Sequence, residues 1–197
     1  MTFRAPDITG VILAGGQGRR MGSVDKGLRE LRGKPMVEWV LERFAPQVAE
    51  ILVNANQNLD VYARFGHRVV ADEFGGFAGP LAGLQRGLSE ATRPLVATAP
   101  CDTPFLPTDL VARLHAALQS NAAQLAVART GAQPHPVFCV CRRDVLPHLT
   151  AFLQGGGRKI DAWYATLKVV EVAFDDQPDA FSNINTAEEL RAFENAR

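Results

Sequence analysis

Seven short, predominantly apolar runs alternate with amphipathic stretches along this chain, and that alternation leaves few architectures open. The runs fall at 8–14, 50–54, 68–71, 94–99, 123–129, 136–141 and 168–173. Strands covered on both faces read as continuous apolar runs, because neither side of the pleat meets water. Between the first two runs, Pro35 opens a helix whose inner stripe is Met36, Val37, Val40, Leu41 and Phe44, with Glu38, Glu42 and Arg43 opposite. A second helix begins after Pro80 with Leu81, Leu84 and Leu88, and a third carries Leu110, Val111, Leu114, Ala117 and Leu118. Thr186 and Glu189 form a capping box for a last helix that turns Leu190 and Phe193 inward. The pattern predicts an α/β fold with a mostly parallel sheet between two helical layers. At 197 residues and 47% apolar content, the chain fits one domain over 1–197, without internal repeats or long linkers. The run Gly155-Gly156-Gly157 predicts a mobile loop.

Charge narrows the partners. With 21 basic and 21 acidic residues, the chain has no broad field for nucleic acid or a membrane surface. Its N-terminus, Met-Thr-Phe-Arg-Ala-Pro-Asp, lacks the apolar core of a signal peptide, and no apolar run approaches ~20 residues. The expectation is a cytoplasmic protein with no nucleic-acid or membrane partner. Cys101, Cys139 and Cys141 cannot all pair, and Cys139 and Cys141 share one face of a strand, so buried reduced thiols are expected.

The first apolar run feeds directly into Leu13-Ala14-Gly15-Gly16-Gln17-Gly18-Arg19-Arg20-Met21-Gly22, followed by Asp25-Lys26. Gly15, Gly16 and Gly18 remove the Cβ atoms that would keep a ligand off the backbone. The freed amides form an anion cradle, and Arg19, Arg20 and Lys26 place fixed positive charge beside it. This suits a triphosphate. The loop is not a P-loop, since no Gly-Lys-Ser/Thr follows at the required spacing. Nor is it a dinucleotide fingerprint, whose third glycine would fall at Met21.

Ligands of open parallel sheets lie outside the carboxyl ends of the strands. Those ends carry Ala14-Gly15, Asn54, Asp72 and Asp102. Asn54 reads equally as a turn residue, and Asp72 as a loop cap. Asp102 is more pointed: it ends a buried strand, and Thr103-Pro104 stops that strand immediately. A carboxylate there is costly unless a cation or donor meets it. Magnesium shared with triphosphate oxygens would meet that need.

Taken in order, the opening loop, Val53-Asn54-Ala55-Asn56, Asp72, Gly79-Pro80-Leu81-Ala82-Gly83, Pro100-Cys101-Asp102-Thr103-Pro104 and Asn183-Ile184-Asn185-Thr186 resemble the molybdenum cofactor guanylyltransferases. The likeness spans essentially the whole chain. The loop and the aspartate belong to nucleotidyltransferases at large, whereas Pro-Cys-Asp-Thr-Pro with Asn-x-Asn-Thr points to the pterin-directed group. The resemblance implies a three-layer, Rossmann-like nucleotidyltransferase fold, with the nucleotide on the N-terminal half and the acceptor on the C-terminal half. It implies that Leu13, Ala14, Gly15, Gly16, Lys26, Asn54, Asp72 and Asp102 bind GTP, with Mg²⁺ on Asp102. It further implies transfer of GMP from GTP to the phosphate of molybdopterin, with molybdoenzymes or cofactor-handling proteins as possible recipients. Arg19, Lys26 and Asp102 would then carry the catalysis by electrostatics and positioning, because the substrate supplies its own nucleophile.

Asn183 and Asn185 offer amides suited to a pterin edge, and Arg158 or Lys159 a cation for its phosphate. Asn-Ile-Asn also reads as turn chemistry, and His135, Trp39 and Trp163 read as structural. Three other readings stay open: a cytidylyltransferase on the same pterin, a sugar-1-phosphate nucleotidyltransferase, and a GTP- or pterin-binding module without turnover. Turnover separates the last of these from the others.

Overall fold

The computed structural model describes residues 5–15, 25–75 and 79–184. In chain order the elements are β1 (Ala5–Leu13), a two-residue hairpin of β2 (Glu30–Leu31) and β3 (Lys34–Pro35), α1 (Met36–Phe44), β4 (Val48–Asn54), α2 (Leu59–Ala63) and β5 (Arg68–Val70). There follow α3 (Pro80–Glu90), β6 (Leu95–Pro100), α4 (Leu110–Ser120), β7 (Leu125–Thr130), β8 (Gln133–Arg142), α5 (Leu146–Gln154), α6 (Ile160–Tyr164) and β9 (Val169–Ala173). All seven expected strands form one sheet, ordered β5-β4-β1-β6-β8-β7-β9. Only β8 opposes its neighbours, running antiparallel to both β6 and β7. The fold is thus the expected α/β sandwich around a mostly parallel sheet.

Alternation along the strands divides the interior into two layers. Ile8 and Ile12 of β1 face α1 and α4, where Val37, Val40, Phe44, Leu110, Val111, Leu114 and Leu118 are buried. Val11 faces the other way, toward Leu81, Leu84 and Leu88 of α3, Leu149 and Leu153 of α5, and Trp163 of α6. Each such side chain contributes roughly 1.5–3 kcal/mol on burial. The five residues read as the stripe of the first helix are its buried residues. Cys139 and Cys141 share the second layer as free buried thiols, as expected.

Polar groups in the interior have assigned work. Gln47, 2% exposed, accepts from Val111 N–H at 2.9 Å and donates to the carbonyls of Arg43 and Pro107 at 2.8 and 2.9 Å. It supplies the cap that α4 lacks from its own sequence, since Asp109 makes no side-chain cap bond. Trp163 donates Nε1–H to His148 Nδ1 at 3.0 Å, so this tryptophan is core. Trp39 donates to the Leu31 carbonyl at 3.0 Å and lies under the Lys34 ammonium.

The triple glycine is built as a helix stop. Gly155, Gly156 and Gly157 donate to the carbonyls of Ala151, Leu153 and Phe152 at 2.9, 3.1 and 2.9 Å, and Gly156 takes φ +84, which favours glycine. The final helix expected after Thr186 lies outside the described residues. Among those residues, no helix is long and apolar enough to cross a membrane.

Candidate active site

Parallel pairing aligns the carboxyl ends of four strands on one lip. Leu13 is opposite both Asn54 and Pro100, and Asn54 is opposite Val70. The ladder runs one step further: Ala14 N–H donates to the Asn54 carbonyl at 2.7 Å, and Cys101 N–H to the Leu13 carbonyl at 3.1 Å. The start of the glycine loop is therefore fixed between the two neighbouring strand ends. At Gly15, a Cβ would stand 2.8 Å from Asn56 Nδ2, so a side chain at this first loop position would press on Asn56.

On one side of Gly15, Asn54 is 2% exposed and donates from Nδ2 to Asp72 Oδ1 at 2.8 Å. Asn56 Nδ2 donates to Asp72 Oδ2 at 2.8 Å, and its own Oδ1 accepts from Asp72 N–H at 2.9 Å. Sequence reasoning had Asn54 and Asp72 but gave Asn56 no role. The repeated asparagine in Asn54-Ala55-Asn56 was the available signal, since residues two apart on an extended segment can reach the same neighbour.

On the other side, Asp102 is 8% exposed and Lys26 Nζ lies 3.2 Å from its Oδ2. The cation anticipated for this carboxylate is thus in part the lysine of the same loop motif. Lys26 rides on a three-residue 3₁₀ turn, Lys26–Leu28, whose N-cap Asp25 accepts from Gly27 N–H at 3.2 Å. The lysine side chain stays 30% exposed, so it can face both the carboxylate and an anion arriving from solvent.

The turn after Asp102 fastens the C-terminal segment. Ile184 N–H donates to the Asp102 carbonyl at 3.0 Å, and Thr103 Oγ1 donates to Asn183 Oδ1 at 2.6 Å. Ile184 is buried with Leu31 and Met36, so this segment is anchored by packing as well. Asn183 therefore stands beside the lysine–aspartate pair. Thr103, which sequence reasoning treated only as a strand stop, is its tether. Arg158 has different described bonds: Nη1 donates to the carbonyls of Leu153 and Gly157 at 2.8 and 2.6 Å, at the end of α5. His135 stacks on Phe181 at 4.5 Å and shares a 2.8 Å hydrogen bond with Thr130. Burial lowers its pKa, which favours the neutral ring. Gly16, Arg19, Arg20 and Asn185 lie outside the described residues.

A lysine beside a strand-end carboxylate, on a sheet lip whose first strand runs on into a glycine-rich sequence, is the arrangement expected of an α/β transferase of nucleotides. The model of the MobA-like NTP transferase domain matches residues 10–169. A molybdenum cofactor guanylyltransferase of Cupriavidus taiwanensis is 51% identical over 193 residues, covering 95% of this chain and 96% of the relative. One from Shewanella amazonensis is 51% identical over 189 residues, covering 96% of each. The crystal structure of molybdopterin-guanine dinucleotide biosynthesis protein A from Archaeoglobus fulgidus superposes with a TM-score of 0.80 at 25% identity, covering 94% of this chain and 96% of that one. The chain belongs to the MobA-like nucleotidyltransferases, among the molybdenum cofactor guanylyltransferases.

Proposed function

We propose that the protein transfers GMP from GTP to the terminal phosphate of molybdopterin, forming the guanine dinucleotide cofactor and pyrophosphate. The observation that carries this reading is the Lys26–Asp102 pair, 3.2 Å apart on the lip that also starts the glycine loop. A phosphate oxygen of the pterin attacks the α-phosphorus, the bond from that phosphorus to the α–β bridging oxygen breaks, and the electron pair leaves with pyrophosphate. Both reactants are anions, so the protein's task is to bring them together and stabilise the charge that develops. Lys26 serves the triphosphate, with Leu13, Ala14, Gly15 and Gly16 supplying backbone contact and Arg19 a charge for the leaving pyrophosphate. Asn54 and Asp72 serve the nucleoside. Asn183 and Asn185 serve the pterin, and Arg158 its phosphate.

A divalent ion fits at Asp102, and Mg²⁺ is the ion proposed. Among the described residues no cluster of three or more metal-ligating His, Cys, Asp or Glu side chains occurs, so Asp102 would hold a cation together with phosphate oxygens and water. Bound there, it neutralises phosphate charge and orients the triphosphate. Reduced Cys101, Cys139 and Cys141 are in keeping with a cytoplasmic setting.

The test is pyrophosphate release by the purified protein with Mg²⁺, molybdopterin and each of the four nucleoside triphosphates. Release with GTP and poor use of CTP is expected. Equal or better use of CTP would overturn the guanine assignment, and tight GTP binding without turnover would leave a binding module.

A further inference from the structure

Asp25 receives more hydrogen bonds than the cap of a short turn needs. Its Oδ1 accepts from Gly27 N–H at 3.2 Å and from the Tyr62 hydroxyl at 2.5 Å, and its Oδ2 accepts from Asn58 Nδ2 at 3.1 Å. Two of these donors come from another element: Tyr62 is a fully buried residue of α2, and Asn58 is the N-cap of that helix. Asn58 adopts φ 53 and ψ 34, a left-handed conformation that Asn tolerates better than most residues, and this holds its amide at Asp25. Burial pushes the Tyr62 pKa far above its ordinary value, reinforced by Cys101 and Asp25, so the hydroxyl remains a donor.

The turn so held carries Lys26. Three residues of 3₁₀ helix have little stability of their own, because nucleation fixes more dihedrals than one hydrogen bond repays. The turn is also pressed onto the sheet: a Cβ on Gly27 would stand 2.5 Å from the Tyr62 hydroxyl oxygen and 3.0 Å from Cys101 Cβ and Sγ. Cys101 immediately precedes Asp102. Gly27, next to Lys26, is therefore packed against the side chain of Cys101, next to the carboxylate partner, with Tyr62 touching both. A phenylalanine at 62 would fill the same apolar space, so the hydroxyl is present for Asp25. An O–H to carboxylate bond of this length is of the charge-assisted kind.

We propose that Asp25, Tyr62 and Asn58 are positioning residues that preset Lys26 against Asp102, so that the lysine is in place before the triphosphate arrives. The proposal rests on the reading of Lys26 and Asp102 as GTP-binding groups. Asn58 follows by a few residues the Asn54 and Asn56 that hold Asp72, so one loop after β4 supplies donors to both aspartates.

A double-mutant cycle tests it. Tyr62→Phe lowers kcat/KM for GTP about 10-fold, the scale of one hydrogen bond to a charged group, while the KM for molybdopterin stays within about twofold. In a Lys26→Ala background the same change costs less than about twofold, because the lysine it positions is gone. A loss equally large in both backgrounds overturns the proposal, as does no loss in the native background. Should Tyr62→Phe not fold, Asn58→Gly, which keeps the left-handed backbone, enters the same cycle with the same criteria. A readout independent of turnover is the ¹³C resonance of methylated Lys26. It shifts when Asp102→Asn alters its partner, and it is expected to shift likewise in Tyr62→Phe; an unmoved resonance counts against positioning. Failure of the native enzyme to turn over GTP would strike the proposed function and leave this resonance to judge the network.

Discussion

Asn54 donates its side-chain amide to Asp72 across 2.8 Å, joining the ends of two strands whose residues are 18 apart in sequence. The same amide also donates to the Val70 carbonyl at 3.3 Å, so one buried side chain sets the spacing between β4 and the segment after β5. Replacing it by aspartate would oppose two carboxylates and strand the carbonyl. Asn54→Asp is expected to lower stability by about 2–4 kcal/mol at pH 7 and to raise the KM for GTP at least about 10-fold. Denaturant titration and GTP saturation curves measure the two effects.

Two glycines of α3 give a matched pair. At Gly83 a Cβ would fall inside the contact distance of Asn54 Oδ1 and stand 2.7 Å from Leu13 Cδ2; at Gly87 it would stand 2.6 Å from Val11 Cγ2. In an open helix alanine would gain about 1 kcal/mol over glycine, but overpacking costs about 1–3 kcal/mol. Both Gly83→Ala and Gly87→Ala should lower the melting temperature. Only Gly83→Ala should also weaken GTP binding, since it alone displaces Asn54. Calorimetric titration with GTP distinguishes them.

The electrostatic role proposed for the lysine–aspartate pair predicts large kinetic losses with little structural change. Lys26→Ala should reduce kcat about 10²–10³-fold, the scale of losing one group that stabilises transition-state charge. Asp102→Asn should reduce turnover at least as far, with an unchanged circular dichroism spectrum. Retained activity in Asp102→Asn would remove the metal-holding role.

Away from the lip, Glu50 couples stability to pH. Burial raises its pKa, but hydrogen bonds from Thr9 Oγ1, Thr92 N–H and Thr92 Oγ1, with the charge of Arg93, outweigh burial and hold it below its ordinary value of 4.5. The carboxylate therefore stabilises the fold fully above 4.5, where both states are ionised. That contribution fades as pH falls through the lowered folded-state value, because the unfolded chain takes up its proton first. Glu50→Gln should be less stable than the native protein at pH 7, with the gap narrowing below pH 4.5. Thermal melts across that range measure it.

What could be read before the structure followed from burial, and what could not followed from length and direction. All seven strands were legible because continuous apolar runs mark a sheet covered on both faces. The reversal of β8 was not, because Val137-Phe138-Cys139-Val140 reads the same whichever way the strand runs. Helices α2 and α6, five residues each, are too short for a 3.6-residue period to declare itself. At the site, Asn54, Asp72 and Asp102 were legible as polar residues ending apolar strands. Tyr62 was not, because an aromatic between Val61 and Ala63 reads as packing and gives no hint that its hydroxyl meets a carboxylate 37 residues earlier.

The Thr103–Asn183 bond spans 80 residues, and the buried Ile184 side chain next to it closes over Leu31 and Met36. During synthesis, the loop, the lysine and the aspartate all emerge long before the strap that finishes their corner. A nascent chain halted after β9 would lack this strap, leaving Leu31 and Met36 without the Ile184 cover and the Asp102 carbonyl without the Ile184 N–H.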